Sequence, residues 1–453
     1  MRHQVRRPTL GLDSGSRVAV IGGGPAGSFF SYFVIEIARR VGMDLNVDIY
    51  ESRDFSRPGP PGCNMCGGIV SESLVQTLAA EGINLPPAVV QRGIDSYQLH
   101  MDVGSVRIET PLREMRIAAV HRGSGPRDVD VKESKWTSFD GYLQALVLEK
   151  GAHLVRGRVD EINSRSGRPE VRIRGGSAQV YDLLIMAVGV NSGTLRLLEK
   201  LESGYELPQT TKTFISEYYL GEDTIASVFG SSMHVFLLDI PRLEFAAIIP
   251  KGDYVTVCLL GKDIDNSLVK SFLESPEVKR CFPQGWQSDQ SSCQCWPSMN
   301  VDGAVKPFAD RIVFIGDCGV TRLYKDGIGA AYRTAKAAAT TAIFHGVSAS
   351  SFRKHYWPVC RSIGIDNTLG KLTFGAVRKV RKARFARRAI LLMSIEEQQR
   401  ESHSRYMSMV LWDIFTGSAP YKDIFLRSLS PRFLSRFLWN VTVSIPAPDR
   451  VGE

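Results

Sequence analysis

The chain has 453 residues, of which 43% are hydrophobic and 23% charged, a balance that predicts folded domains and excludes an intrinsically disordered protein. The sequence contains no run of about 18 apolar residues, so it predicts no membrane-spanning helix. Eight cysteines in a chain of this length do not indicate a disulfide scaffold. The formal net charge is +9, and residues 346–453 alone hold 18 Lys and Arg against 8 Asp and Glu, so the rest of the chain is close to neutral. Residues 1–16 are a basic extension without the apolar stretch of a signal peptide, so we expect a cytoplasmic protein.

The first elements of the chain predict a strand–turn–helix–strand unit that binds a dinucleotide. An apolar strand over 17–21 leads into the turn Gly22-Gly23-Gly24-Pro25-Ala26-Gly27 and a helix. The second strand ends at Glu51, 24 residues after Gly27. In this pattern the glycines allow a tight turn, close approach of a pyrophosphate and close packing of the helix on the strand. The acidic residue accepts hydrogen bonds from the ribose.

The middle of the chain is rich in predicted β-strands. Residues 95–110 alternate like a hairpin around Val103-Gly104, and further strands are predicted over 214–220, 234–239, 245–249 and 254–260. We therefore expect a β-sheet between the two nucleotide-binding parts of the sequence.

A second nucleotide signal comes late in the chain. A strand over 311–315 is followed by Gly316-Asp317, and a helix predicted from about Gly327 to Phe344 begins with Gly327-Ile328-Gly329. A carboxylate after a strand can accept hydrogen bonds from ribose or ribityl hydroxyls, and the positive end of a helix stabilises negative charge on a reduced flavin. Since no second Gly-x-Gly-x-x-Gly follows the first, the sequence favours FAD over NAD.

At these residues the sequence resembles the geranylgeranyl reductase family, within the group of flavoproteins shaped like p-hydroxybenzoate hydroxylase. Cys66-Gly67-Gly68-Ile69 resembles the Cys-Gly-Gly loop of these reductases, and Phe139-Asp140 begins a helix that the group shares. The resemblance implies an α/β fold: a Rossmann-type FAD-binding domain with three layers (ββα), an inserted antiparallel β-sheet substrate domain and a helical C-terminal region. The implied ranges are 17–75, 121–205 and 300–345 for the FAD-binding domain, 76–120 and 206–299 for the substrate domain, and 346–453 for the helical region.

Two departures from the group bear on this reading. The stretch before Phe139, Trp136-Thr137-Ser138, lacks the arginine that the group usually carries there. Val188 stands where members that take hydride from NAD(P)H often carry an aspartate. The electron donor therefore stays open, and a protein or quinol donor is favoured over NAD(P)H.

The resemblance implies that reduced FAD transfers hydride to a C=C bond of an isoprenoid, in a geranylgeranyl-type lipid or a quinone side chain. Cys66, Tyr218 or a water is the expected proton donor. Two other classes stay open: a flavin monooxygenase or halogenase of an aromatic substrate, and a membrane-peripheral flavoprotein that passes electrons to quinone. The predicted cofactor contacts are Gly22, Gly24, Pro25, Ala26, Gly27, Glu51, Ser52, Arg53, Cys66, Gly67, Gly68, Gly316, Asp317, Gly327, Ile328 and Gly329.

Cys63 and Cys66 form a Cys-x-x-Cys pair in a loop rich in proline and glycine. Four interpretations stay open: part of a cluster with Cys281, Cys293 and Cys295, a redox dithiol, a packing pair, or a Cys66 that faces the substrate side of the flavin. The resemblance favours the last of these. We expect no metal, because the spacing of these cysteines matches neither a zinc nor an iron–sulfur pattern.

The segment from Arg378 to Arg388 contains seven Lys and Arg, interleaved with apolar residues at helical spacing. This pattern predicts an amphipathic basic helix on an anionic membrane, at the inner face of the cell membrane. The alternative is a solvated helix packed on the body of the protein. Apart from the basic charge of this segment, no feature of the sequence indicates nucleic-acid binding, so we expect no nucleic-acid partner.

Overall fold

The computed structural model describes residues 10–59, 62–63, 65–110, 117–125, 137–200, 204–291, 293–399 and 405–445. Trp136 and the stretch before it lie outside the described residues. The strands are β1 (Arg17–Ile21), β2 (Asn46–Glu51), β3 (Ile69–Val70), β4 (Val90–Ile94), β5 (Ser96–Met101), β6 (Gly104–Glu109), β7 (Ile117–Val120), β8 (His153–Arg156), β9 (Val159–Arg165), β10 (Arg168–Ile173), β11 (Gln179–Val180), β12 (Leu183–Met186), β13 (Thr210–Lys212), β14 (Phe214–Tyr219), β15 (Ser232–Phe236), β16 (Leu243–Pro250), β17 (Tyr254–Gly261), β18 (Cys293–Cys295), β19 (Ser298–Asn300), β20 (Phe308–Ala309) and β21 (Ile312–Phe314).

The helices alternate with these strands in the first part of the chain and follow one another after residue 345. They are α1 (Pro25–Arg40), α2 (Glu72–Ala80), α3 (Phe139–Glu149), α4 (Glu222–Val228), α5 (Asn266–Leu273), α6 (Pro276–Lys279), α7 (Gly327–Phe344), α8 (Ala349–Ser351), α9 (Trp357–Lys382), α10 (Arg384–Gln399), α11 (Tyr406–Thr416), α12 (Tyr421–Ser428) and α13 (Pro431–Ser444). None of the helices in the described ranges has the length and apolar character needed to cross a membrane.

The first large sheet has the strand order β20-β21-β12-β1-β2-β8 and is parallel except for β20. Its central strands read as continuous apolar runs because both faces are covered. Helices α1 and α7 pack together on one face, where Phe29 meets Tyr332 edge to face, and the small sheet β9–β11 covers the other. The predicted three-layer arrangement (ββα) is therefore confirmed.

The second large sheet has the order β18-β14-β17-β16-β15-β5-β6. The predicted hairpin is confirmed, with Met101 opposite Gly104, and so are the four strands predicted over 214–260. One pair differs from the antiparallel expectation, since β15 runs parallel to β5. The reason is that β5 and β15 come from separate parts of the sequence, and a long connection between two strands allows them to run in the same direction.

A three-stranded sheet, β3-β7-β4, lies between the two large sheets. Val120 belongs to the core beneath α1, whereas its neighbour Ala119 points into the core of the second sheet. The boundary that the sequence suggested at 120/121 therefore falls directly after β7, whose residues pack into both cores. The domain ranges themselves stay a prediction.

The C-terminal helices cover one face of the second sheet, and α4–α6 cover the other. The basic segment 378–388 is not one amphipathic helix, because α9 ends at Lys382 and Ala383 adopts an extended conformation (φ −101°, ψ 111°) before α10 begins. The predicted continuous helix is therefore wrong.

Three of the seven basic residues in this segment are buried: Arg381 is 6% exposed, Arg387 7% and Arg388 6%. Arg381 donates to the backbone carbonyl of Glu244 at 3.0 Å, and Arg387 Nε lies 2.6 Å from an Asp102 carboxylate oxygen. These cations therefore hold the C-terminal helices to the second sheet and are not on a free surface. Attachment to an anionic membrane stays a prediction.

Candidate functional site

A groove of about 510 Å³ lies at the carboxyl ends of the parallel strands, between the first sheet and the second. The loops that follow β1, β2, β12 and β21 all line it. In parallel α/β sheets, ligands bind at this edge because the loops and the helix N-termini converge there.

The first wall of the groove is the glycine turn after β1. Gly22 has a φ of +105°, and a Cβ at this position would lie 2.5 Å from the carbonyl oxygen of Ala187. At Gly27 a Cβ would lie 1.9 Å from the carbonyl oxygen of Gly22. Only glycine fits either position, so the sequence brings the N-terminus of α1 directly to the edge of the sheet.

Glu51 at the end of β2 is held in place by two backbone donors. Its carboxylate accepts hydrogen bonds from the N–H groups of Gly23 and Arg53, both at 2.8 Å. The side chain lines the groove beside the glycine turn. This placement agrees with the predicted contact to a ribose.

The loop after β21 meets the glycine turn from the other side. Gly316 has a φ of +63°, and a Cβ there would lie 2.7 Å from the Cβ of Ala26. Asp317 is exposed in the groove, and its backbone carbonyl accepts a hydrogen bond from Asn300 at 2.8 Å. Its carboxylate interacts with the side chain of Thr321, which lines the same groove.

The residues of this groove fit FAD. Gly22 and Gly316 let the loops after β1 and β21 pack closely against Ala187 and Ala26, and two long helices, α1 and α7, begin at the groove. Helix N-termini favour phosphate and the negative charge of a reduced flavin. Glu51 would bind the adenosine ribose and Asp317 the ribityl chain.

The Cys66-Gly67-Gly68 loop lines the groove between the two walls. Gly68 has a φ of +74°, and a Cβ there would lie 1.9 Å from the carbonyl oxygen of Val120. A Cβ at Gly67 would lie 2.9 Å from the sulfur of Cys258 on β17. The two glycines thus let the loop lie against β7 and β17, and this packing exposes Cys66 to the groove.

Arg122 is a groove residue that the sequence reasoning missed. Its Nη2 lies 3.0 Å from a carboxylate oxygen of Asp140, its Nε makes a second contact to the same carboxylate, and the guanidinium interacts with the sulfur of Cys66. Arg122 lies 18 positions before Asp140 in the sequence. No local pattern marks Arg122, because the contact depends on how the loop after β7 returns to α3.

Cys63 differs from Cys66 in its surroundings. Its sulfur accepts a hydrogen bond from the N–H of Met65 at 3.2 Å. Burial, and secondly the charge of Glu217, raise the pKa of the Cys63 thiol to about 12, so it stays protonated at neutral pH. A protonated thiol is a poor redox nucleophile, which argues against the dithiol interpretation. Among the described residues, one group of histidine and cysteine side chains lies close enough together to hold a metal ion. That group includes neither Cys63 nor Cys66.

The opposite wall of the groove is apolar. Side chains of the second sheet and of α11 form it: Ile215, Met233, Phe245, Ala247, Ile249, Cys258, Leu260 and Phe415. Because strand residues alternate between the two faces of a sheet, Ile215 faces the groove and Tyr218 faces away. Tyr218 is 2% exposed, and its hydroxyl donates to the carbonyl of Ser288 at 3.0 Å. The prediction that Tyr218 is a proton donor is therefore wrong.

The structure brings most predicted cofactor residues together. The following line the groove: Gly22, Gly24, Pro25, Ala26, Glu51, Ser52, Arg53, Cys66, Gly67, Gly68, Gly316, Asp317, Gly327 and Ile328. Gly27 and Gly329 serve instead in the packing of the first turns of α1 and α7. Val188 also lines the groove, on the loop after β12.

Known protein structures share this architecture. The halogenase PltM in complex with phloroglucinol and FAD superposes with a TM-score of 0.57 at 12% identity, over 95% of this chain and 91% of PltM. The flavin-dependent brominase Bmp2 gives 0.56 at 15% identity, over 94% and 93% of the two chains. A flavoprotein/dehydrogenase from Cytophaga hutchinsonii gives 0.58 at 14% identity, over 95% and 100%.

The chain has an FAD-binding flavoprotein fold. This agrees with the FAD prediction and confirms the predicted fold class, but it does not single out the geranylgeranyl reductase family. No protein-family model matches the sequence, and no curated protein does.

Proposed function

We propose that this protein is an FAD-dependent oxidoreductase that acts on an apolar substrate. The observation that carries the proposal is that a single groove joins two chemically different walls. One wall has the glycine turns and carboxylates that suit a dinucleotide, around Gly22 and Gly316. The other consists of apolar side chains such as Phe245 and Phe415. A flavin ring between these walls would face an apolar substrate.

The proposed reaction is oxygen-dependent hydroxylation or halogenation of an aromatic substrate. When it is bound and reduced, FAD supplies the electrons that activate dioxygen. Substitution on an aromatic ring releases a proton from the ring carbon, so the site does not need a proton donor aimed at the substrate carbon. The apolar wall supports this reaction by excluding water. Proteins named as halogenases also share the fold over about 95% of this chain.

Reduction of an isoprenoid C=C bond is the second candidate. The observation that favours it is the Cys66-Gly67-Gly68 loop, which lines the groove beside the apolar wall. This reaction needs a proton for the second carbon, and Tyr218 faces away from the groove. Cys66 or a water would have to supply the proton, which places this reaction second.

Oxygen distinguishes the two candidates. The purified protein, loaded with FAD and reduced by dithionite, is mixed with phenolic substrates plus halide in air, and with geranylgeranyl lipids and quinones without air. We expect oxygen-dependent products from the phenolic arm, detected by mass. Reduced isoprenoid formed without oxygen would instead establish the second candidate. A protein that binds no flavin would overturn both.

A further inference from the structure

Three side chains converge on the face of the second sheet that points away from the groove. His100 lies on β5, His234 on the neighbouring β15, and Cys281 just after α6. All three are buried, at 9%, 9% and 5% exposure. They come from distant parts of the sequence, and their potential ligand atoms all lie within 4.8 Å of one another.

We propose that His100, His234 and Cys281 bind one d¹⁰ transition-metal ion, Zn²⁺ or Cu⁺. Two imidazole nitrogens and a thiolate are the ligand types that both ions accept in proteins. This site departs from the expectation that the protein holds no metal, and it is independent of the proposed oxidoreductase function.

The distances between the three ligand atoms carry the proposal. His100 Nε2 and His234 Nδ1 are 3.0 Å apart, and Cys281 Sγ lies 3.3 Å from His234 Nδ1 and 3.6 Å from His100 Nε2. A tetrahedral ion with ordinary Zn–N and Zn–S bonds separates two nitrogens by about 3.3 Å and a nitrogen from a sulfur by about 3.6 Å. The observed triangle therefore matches the face of such a site to within about 0.3 Å.

Neighbouring side chains fix the two imidazole rings. Ser105 Oγ lies 2.9 Å from His100 Nδ1, the ring nitrogen that faces away from the cluster. When Nδ1–H donates to Ser105 Oγ, Nε2 of the neutral ring carries no proton and its lone pair points at the other ligands, as in metal-bound histidines with an outer acceptor. Phe236 stacks on His100 with the ring centroids 4.8 Å apart, and Phe229 packs against His234 at 4.9 Å. The rings are thus held in place before any ion binds.

The charge of the site bears on which ion it prefers. Cu⁺ with one thiolate and two neutral imidazoles is electrically neutral, whereas Zn²⁺ leaves one positive charge in a buried site. Burial of an uncompensated charge is unfavourable, so the charge argument favours Cu⁺, while the ligand distances suit both ions. Either ion would tie β5, β15 and the segment after α6 together.

The metal content of the full-length protein tests the proposal. The protein is stripped with a chelator, incubated with ZnSO₄ or, anaerobically, with Cu⁺, desalted, and analysed by mass spectrometry of the metals. We expect about one equivalent of at least one ion in the wild type and at least a tenfold loss in Cys281→Ser. Cys360→Ser removes a cysteine that is equally buried elsewhere in the fold, and it should retain the metal. The proposal would be overturned if the wild type retained neither ion, or if Cys281→Ser retained as much metal as the wild type.

Cobalt gives a second readout that needs no variant at the cluster. Co²⁺ bound to the stripped wild type should show a thiolate-to-cobalt charge-transfer band, which reports a bond to Cys281 sulfur. Ser105→Ala, which changes only the outer partner of His100, should weaken the affinity for the metal about 10- to 100-fold. A wild type that binds Co²⁺ without the charge-transfer band would show that the three side chains are a packing cluster.

Discussion

Arg122 and Asp140 form an ion pair at the groove, with Arg122 Nη2 3.0 Å from a carboxylate oxygen and the Asp140 side chain fully buried. The pair joins the loop after β7 to the first turn of α3. The same guanidinium also interacts with Cys66 in the Cys-Gly-Gly loop. The ion pair therefore links the base of α3 to the wall of the groove.

Removing one partner of this pair should destabilise the fold. Arg122→Met removes the cation that pairs with the buried Asp140 carboxylate, and we expect the free energy of unfolding in urea to fall by about 3–5 kcal/mol. Arg57→Met is the matched control, since the ion pair of Arg57 with Asp54 is exposed and should contribute at most about 1 kcal/mol. Equal effects of the two substitutions would show that Arg122 does not support the groove.

A side chain at Gly24 should remove the cofactor. Gly24 caps α1 and lines the groove, so the valine in Gly24→Val would occupy space that we assign to the pyrophosphate. We expect the variant to be purified without the yellow flavin absorbance. Gly364→Ala in α9 places a methyl group in open space and should keep the flavin. Full FAD occupancy in Gly24→Val would contradict our assignment of the groove.

The two cysteines of the Cys-x-x-Cys pair should behave differently. Cys66→Ser should keep FAD bound but change the turnover rate, because Cys66 lines the groove, whereas Cys63→Ser should leave kinetics close to wild type. The pKa of about 12 keeps the Cys63 thiol protonated at pH 8, so iodoacetamide should modify it more slowly than a thiol with an ordinary pKa. Unchanged kinetics in both variants would make the pair a packing feature.

Slow reduction by NADPH is expected, because Val188 lines the groove on the loop after β12, where similar flavoproteins that use NAD(P)H often carry an aspartate. Stopped-flow absorbance should show flavin bleaching by NADPH far slower than by dithionite. A protein or quinol donor then becomes the partner to seek. Rapid bleaching at micromolar NADPH would contradict this prediction.

Charge reversal in the C-terminal region should separate stability from membrane attachment. Arg381→Glu places a carboxylate against backbone carbonyls of β16, and we expect a loss of about 3–5 kcal/mol in the free energy of unfolding. The neighbouring Lys382 is exposed, so Lys382→Glu should change the free energy of unfolding by at most about 0.5 kcal/mol.

Liposome co-sedimentation of the Lys382→Glu protein then tests the membrane prediction without unfolding the chain. We expect binding to anionic vesicles to weaken, because we predict that the exposed cations of this segment contact anionic lipid. Unchanged binding by Lys382→Glu and by Lys379→Glu would argue that this segment does not contact the membrane.

The nucleotide half of the groove could be predicted from the sequence because its signals are local. The turn from Gly22 to Gly27, Glu51 and Gly316-Asp317 each lie next to a strand, and the fold only has to bring strand ends to one edge. The substrate half could not be predicted in this way. Tyr218 and Ile215 lie on one strand, and which of them faces the groove depends on what covers each face of the sheet.

The C-terminal region shows the same limit for charged residues. Helical spacing continues through Ala383, and no local signal marks the break between α9 and α10. Arg381 and Arg387 read as solvent-facing cations, yet their acceptors lie on β16 and beside β5, far away in the sequence. Burial of such residues is set by tertiary partners, which a periodic pattern does not contain.

Phe415 of α11 completes the apolar wall, although it comes from the last fifth of the chain, and the nearby Trp412 stacks on Tyr97 of the second sheet. The end of the chain thus helps to form the apolar wall of the groove whose glycine turns come from the beginning of the chain and from the loop after β21. Arg322, which precedes α7, donates to the backbone carbonyls of Gly417 and Ala419 after α11. A change in the terminal helices should therefore affect both walls of the groove.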